Sequence, residues 1–378
     1  MNTEERLRAL RGVMEERNVE ASLILQPDDL FYLSGFKAII YSRPFAYLVE
    51  SDGLSMALPS LEEEHVRKEA RADRLQIYHE TPERIDRGSS FLAALDALVS
   101  PLRPSCRLGV EKGYLPLELG RFLEEKGFVL VDVGRDIALA RTVKEPKEIE
   151  AITLSGDLVS YALRASLERA RPGMTEMELD LAGTSALFAR VARDFPSATV
   201  DHFVMSPSGR ERSAMQHVFS STRALQLGDG VIHSRQVGLN GYRAECERTF
   251  FVGSADPFQR RCFAVMAEAQ AAAVAAVRPG VRAGDVDGAA RRVIDGAGFG
   301  EAFDHRTGHG IGVTSHEEPS LRFDNDVVLK EGMALSIEPG FYLRGRGGFR
   351  HSDTVIVTAG GARQVTSYPK DLESLVIG

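Results

Sequence analysis

The sequence predicts an α/β protein of two domains, the second built from two related halves. Three observations carry that expectation. Strand-like and helix-like segments alternate over the first 140 or so residues, the mark of an α/β layer domain. A charged stretch beginning at "ARTVKEPKEIEAI" then opens one long helix, and the pattern changes. Beyond it, "RPGMTEMELDLAG" begins at Arg171 and "RPGVRAGDVDGAA" at Arg278, an offset of 107. Self-similarity at a fixed period marks one structural unit used twice.

The elements follow in order. "MNTEERLRALRGVMEERNVE" is a charged amphipathic helix without the apolar run of a signal peptide. "ASLILQ" (21–26), "PFAYLVE" (44–50), "LSMALP" (54–59), "LQIYHE" (75–80) and "FVLVDVG" (128–134) read as strands. Between them, "SLEEEHVRKEARA" and "SSFLAALDALVSPL" read as helices. Pro146 suits the first turn of the long helix, and Pro172-Gly173 ends it. The boundary falls near residue 140, giving domains 1–140 and 141–378. In the second domain "LQLGDGVIHS" (225–234) and "LKEGMALSIE" (329–338) both run from a polar turn into an apolar strand. "ERTFFV" (247–252) and "SDTVIV" (352–357) follow them. Two halves repeating helix, helix, strand, strand place a cleft at their pseudo-two-fold axis.

Composition narrows the function. Net charge is −8, and no basic run of the kind that grips phosphate backbones is present, which argues against nucleic acid as a partner. No stretch reaches the roughly 20 apolar residues that span a bilayer, so a membrane role is not expected. Three widely spaced cysteines, Cys106, Cys246 and Cys262, point to a reducing cytoplasm and not to a disulfide framework.

"GYRAECERTFFVG" (241–253) sets Glu245 and Glu247 two apart on a strand, so both carboxylates face one way while Cys246 and Arg248 face the other. Two like charges side by side need a balancing partner: a metal ion, a cationic substrate, or water. Glu338, after "MALSI" and before Pro339-Gly340, is either a partnered carboxylate or a strand end in water. "TGHGIGVTSHEEP" (307–319) surrounds His309 with Gly308, Gly310 and Gly312 and sets His316 seven residues on. Its glycines place His309 on a tight turn. A phosphate cradle is the competing reading, but no Walker lysine follows. "GRGGF" (345–349) fails the same test and reads as a flexible loop. His217 is, taken alone, an ordinary loop histidine. No G-x-S-x-G elbow is present, and Cys246 lies away from the acidic face. Glu245, His309 and Glu338 are the ligand types for one divalent cation.

"VKEPKEIE", "RPGMTEME", "GD…GY…RTF", "TGHGIGVTSHEEP", "SIEPG" and "DTVIVT" occur in the order seen in the creatinase / prolidase / methionine aminopeptidase superfamily. By this resemblance, which covers essentially the whole chain, a creatinase-type α/β domain precedes a pita-bread domain. The superfamily's peptidases hold two metal ions with Asp, Asp, His, Glu and Glu. Those positions fall here on Ser234, Glu245, His309, Glu338 and Ser352, so the resemblance implies that a dinuclear site is lost. Creatinase, the metal-free branch, carries a glutamate where Glu247 stands. Its catalytic histidine precedes the "GD" turn by eleven residues, as His217 precedes Gly228. Its aromatic and arginine residues that enter a neighbouring subunit's site correspond to Tyr41 and Arg43, which implies a homodimer. Its carboxylate-binding arginine falls near Ser320, with Arg322 off register, and "HEEP" (316–319) resembles the proline-peptidase loop.

Together these features lead to metal-independent hydrolysis of a C–N bond in a small zwitterionic amidine, guanidine or amide, as in creatinase or ectoine hydrolase, with no cofactor. Glu247 and Glu338 would clasp the cationic group, with Glu245 beside them. His217 would shuttle the proton, His309 and His316 would orient the substrate, and Arg43 with Tyr41 would hold its other end. One alternative is a mononuclear, prolidase-like hydrolase or lyase with a divalent metal on Glu245, His309 and Glu338. The other is a pita-bread module that binds without catalysis.

Overall fold

The computed structural model describes residues 2–39, 42–81 and 90–378. The chain divides into two compact units, Met1–Ala140 and Arg141–Gly378. In the first, strands β1 (Ala21–Ile24), β2 (Ala46–Glu50), β3 (Leu54–Pro59), β4 (Arg74–Tyr78), β5 (Arg107–Val110) and β6 (Val129–Asp132) form one sheet, ordered β4-β3-β2-β1-β5-β6. Helices α1 (Thr3–Glu16), α2 (Pro27–Ser34), α3 (Glu63–Glu69), α4 (Phe91–Val99), α5 (Leu117–Glu125) and α6 (Gly134–Ala140) complete the unit. Every residue of β1 and β3 is buried, as in a sheet covered on both faces. β5 is a strand the sequence pattern does not announce, because four residues carry too little alternation to register.

The second unit starts with α7 (Pro146–Leu167) and α8 (Glu176–Asp194). Pro146 occupies the first turn of α7, and Glu145 with Glu148 closes a capping box there. The strands β7 (Val200–Met205), β8 (Gly230–Leu239) and β9 (Tyr242–Val252) follow, with the one-turn helix α9 (Gly209–Arg212) after β7. Then come α10 (Pro257–Ala276), α11 (Ala283–Gly296), β10 (Gly308–Gly310), β11 (Glu317–Leu321), β12 (Ala334–Ile337), β13 (Gly340–Leu343), β14 (Gly347–Arg350) and β15 (Ser352–Thr358). The main sheet runs β11-β10-β12-β15-β9-β8-β7.

The internal repeat is a repeat of structure. Helix pair α7/α8 corresponds to α10/α11, and strand pair β8/β9 to β12/β15, meeting at the central β15–β9 seam. Each second helix is pinned alike: Thr175 bridges to Ala224 and Arg282 to Val328. One face of the sheet meets the helices. Arg235 reaches Ser166 of α7 at 2.9 Å and the Asp180 carbonyl of α8 at 2.6 Å, and Gln270 of α10 reaches Asp353 at 2.8 Å. The apolar core, with Leu163, Phe250, Met266, Ile337 and Val355, gathers there.

Two local expectations are corrected. "GRGGF" is not a flexible loop: Gly347–Arg350 forms a hairpin with β13, and Gly348 packs so close that a Cβ would meet the Ser213 carbonyl oxygen at 2.1 Å. His309 is not on a tight turn but in β10, fully buried between β11 and β12. The glycines on either side serve backbone approach across a sheet instead of a turn. No helix among the described residues is long and apolar enough to cross a membrane.

Candidate active site

Residues directly opposite on paired strands share a face. Glu245 lies opposite Gln236, Glu247 lies opposite both Ser234 and Ser352, and His309 lies opposite Ser336. One sheet face therefore gathers the two glutamates, the serines and His309. Glu338, one residue past β12, falls on the same side as Ser336. The other face takes Cys246, Arg248, His233 and Asp353. His233 contacts Ser206 at 2.7 Å and Arg235 at 3.0 Å, away from Ser234. Asp353, near the start of β15, is tied to Arg248 at 2.9 Å with both side chains fully buried. Burial pushes the Cys246 thiol up to about 12, which removes it as a nucleophile.

The polar face opens on a cavity of about 380 Å3 whose lining includes His217, Glu245, Glu247, Arg306, His316, Glu338 and Arg350. His217 is exposed at its wall. The His316 ring lies 4.1 Å from that of His309, and burial, then His309, takes its pKa down to about 4, leaving a neutral imidazole. Thus Glu245, Glu247, Glu338, His217 and His316 meet at one cavity with His309 beneath it. Arg43 lies in the first unit, with its Nε donating to Glu80 at 2.8 Å. Tyr41 lies outside the described residues.

The charge balance differs between the two strand glutamates. Glu245 accepts hydrogen bonds from Ser336 at 2.9 Å, from Ser352 at 2.7 Å and from Gln236. Glu247 is gripped by Arg350, whose Nε and Nη2 donate to its two oxygens at 2.5 and 2.9 Å. The amidinium-like group that Glu247 was expected to take from a substrate is already supplied by the protein. Burial pushes the Glu247 carboxyl up to about 7 against the pull of Arg350. Arg350 also donates to the Tyr342 hydroxyl at 2.9 Å.

Sequence reasoning missed Arg350, Arg306 and the serine collar of Glu245. For Arg350 a signal existed: it stands two residues before Ser352, on the same alternation.

His309 and Glu338 form the second pair, with Nε2 3.2 Å from Oε1. Nδ1 of His309 lies 2.9 Å from the Gly310 carbonyl, which can only accept, so Nδ1 carries a proton. In the neutral ring, Nε2 then presents a lone pair to a carboxylate oxygen. Two acceptors at that distance need a positive species between or beside them, a proton or a metal ion. Burial opposes charge on His309, but Glu338 and Glu245 outweigh it and raise its pKa. Burial likewise opposes charge on Glu338, and His309 draws it down to about 2. Ligand atoms of Glu245, His309 and Glu338 all lie within 4.8 Å of one another. This donor set fits a hard or borderline divalent cation, and the Gly310 carbonyl fixes the tautomer that a metal-binding histidine needs.

Comparison with known proteins places this geometry. Residues 6–143 match the creatinase/prolidase N-terminal domain, and residues 150–359 match the metallopeptidase family M24. The chain is 30% identical over 373 residues to an Xaa-Pro dipeptidase of Pyrococcus furiosus, covering 97% of this chain and 99% of that one. It is 34% identical over 368 residues to a probable dipeptidase PepE of Mycobacterium tuberculosis, covering 93% and 91%. The crystal structure of the prolidase from Pyrococcus horikoshii OT3 superposes with a TM-score of 0.86 at 26% identity, covering 97% of this chain and 99% of that one. A metallopeptidase family and dipeptidase relatives overturn the expectation of an enzyme without a cofactor, and the three-donor cluster agrees with the correction. With the fold, the cavity and both domain matches in accord, the chain belongs to metallopeptidase family M24.

Proposed function

We propose that the chain hydrolyses the amide C–N bond of a small peptide-like substrate with one divalent cation held by Glu245, His309 and Glu338. The observation that carries this reading is the convergence of three ligand atoms within 4.8 Å at a cavity that Glu245 and Glu338 line. Xaa-Pro dipeptidase relatives across nearly the full length support the substrate class. A cation there would polarise the amide carbonyl and lower the pKa of water.

The remaining roles fall to this chain's side chains. His217, exposed at the wall, carries protons to the leaving nitrogen. Neutral His316 donates a hydrogen bond to the carbonyl oxygen as charge develops. Phe203 and Met205 give the cavity an apolar side. Arg306 reaches Ser320 at 3.4 Å and has no carboxylate partner among the described residues, so it is the guanidinium available for a substrate carboxylate. It takes the place sought near Ser320 from the sequence.

The test is to strip the protein with a chelator, restore manganese, cobalt or zinc singly, and assay a panel of Xaa-Pro and other dipeptides. Turnover that returns with metal supports the reading. Protein that neither binds these metals nor changes its melting temperature with them refutes it.

A further inference from the structure

His217 stands on the long connection between β7 and β8, whose two feet meet at one carboxylate. Glu176, the first residue of α8 and fully buried, accepts from the Ser208 amide and hydroxyl at 2.8 and 2.7 Å. It also accepts from the Ser221 amide and hydroxyl at 2.8 and 2.9 Å, and from Nε and Nη2 of Arg212 at 3.0 and 2.9 Å. Ser206 and Ser220 tighten the base, amide to hydroxyl at 2.7 Å. Beyond these feet the loop stands out: Met215, His217 and Phe219 are exposed, Phe219 at 78%. A segment fastened at its base swings about that base, and a histidine near its tip swings far.

The tip has a tie of its own. Gln216, next to His217, donates through Nε2 to the Asp304 carboxylate at 2.5 Å. Asp304 belongs to the other half of the domain, in the segment joining α11 to β10, and precedes His305 and Arg306. Gln216 and His217 line the cavity from the first half, His305 and Arg306 from the second, so this hydrogen bond joins one wall to the other.

We infer that Asp304 is a positioning residue for His217: it latches the tip of the loop across the cavity and so holds the imidazole where proton transfer needs it. The inference rests on the role given to His217 above. An exposed bond between an amide and a carboxylate adds little to fold stability, because water competes for both groups. Its value lies in geometry. Proton transfer needs the imidazole within hydrogen-bond reach of the leaving nitrogen, and a displacement of about 1 Å can cost about a hundredfold in rate. The bond also has one polarity, since a carboxylate only accepts and an amide nitrogen only donates.

The experiment joins two readouts on the full chain. The sequence contains no tryptophan, so Phe219→Trp places a single fluorophore on the loop, and its time-resolved anisotropy reports the loop's motion without any turnover. In that background Asp304→Ala enlarges the fast motion of the indole, while Asp304→Asn, which keeps an accepting oxygen, does not. The second readout is turnover of dipeptides by the manganese-loaded chain. Asp304→Ala lowers kcat about tenfold or more, with KM, melting temperature and manganese content unchanged. Asp304→Asn keeps the wild-type rate. Gln216→Glu sets two carboxylates against each other and loses the rate, and adding Asp304→Asn, whose amide donates to the new carboxylate, restores it. Unchanged anisotropy in Asp304→Ala overturns the latch. A freed loop with undiminished kcat overturns its hold on His217, and so do equal losses in Asp304→Ala and Asp304→Asn. No dipeptide turnover by wild type overturns the peptidase reading and the role of His217 with it, while the anisotropy still decides the latch.

Discussion

Lys144 donates to the Glu317 carboxylate at 2.8 Å, with both side chains almost completely buried. Arg141 adds a second bond to the same carboxylate at 2.5 Å. The pair ties the segment before α7 to the first residue of β11, next to His316. Burial alone would raise the Glu317 pKa, but Lys144 and Arg141 draw it down to about 2. A carboxylate with a depressed folded pKa stabilises the fold above its unfolded value, near 4.3, and the gain is lost as pH falls through the folded value. The window is therefore about pH 4 to 2, and the contribution about 3 kcal/mol. Acid unfolding followed by circular dichroism should show that loss in wild type and a flattened profile in Glu317→Gln. Lys144→Met should cost about 3 kcal/mol at neutral pH. Unchanged acid sensitivity in Glu317→Gln would remove this carboxylate from the account.

The placement of His309 depends on backbone packing. A Cβ at Gly310 would lie 2.1 Å from the Glu318 carbonyl oxygen, so Gly310→Ala must part β10 from β11. Overpacking of this kind costs about 1–3 kcal/mol. The variant should melt lower and bind manganese at least tenfold more weakly, as read by calorimetry. Wild-type affinity in a destabilised protein would show that β10 can shift without moving the ligand.

Cation binding should also appear as stability. At a hundredfold excess over the dissociation constant, a ligand bound only to the native state adds about 2.7 kcal/mol. For a unit of this size that is roughly 5–10 °C in melting temperature. Stripped protein with manganese restored should show the rise, and Glu338→Gln should lose most of it. An equal rise in both would place the cation elsewhere.

His217 and Arg306 separate chemistry from binding. His217→Ala should lower kcat by about 10²–10⁴ and leave the manganese-induced melting shift intact. Arg306→Gln should raise KM for dipeptides with a free C-terminal carboxylate and leave their C-terminal amides little changed. Steady-state kinetics on matched acid and amide substrates checks both. A uniform loss on acid and amide would deny Arg306 its carboxylate.

The parts of this molecule legible in its sequence are those written over short distances. Glu245 and Glu247 share a face because strands alternate, and the two "RPG" segments mark helix pairs that the fold places equivalently. What stayed hidden was pairing between distant segments. Arg350 meets Glu247 across 103 positions, and its alternation with Ser352 does not say which distant strand it faces. His309 was misplaced for a related reason: glycine permits both a turn and a close strand approach, and only the neighbours Glu318 and Ser336 decide between them. The metal question turned on a missing negative as much as on a ligand. Ser234 and Ser352 look like losses in the sequence, while in the fold Ser352 holds Glu245 in place.

A guanidinium cannot be chelated, exchanged for a competing ion or depleted by scarcity. With Arg350 bonded to Glu247 as it is, one share of this cavity's positive charge is synthesised with the chain and stays for its lifetime.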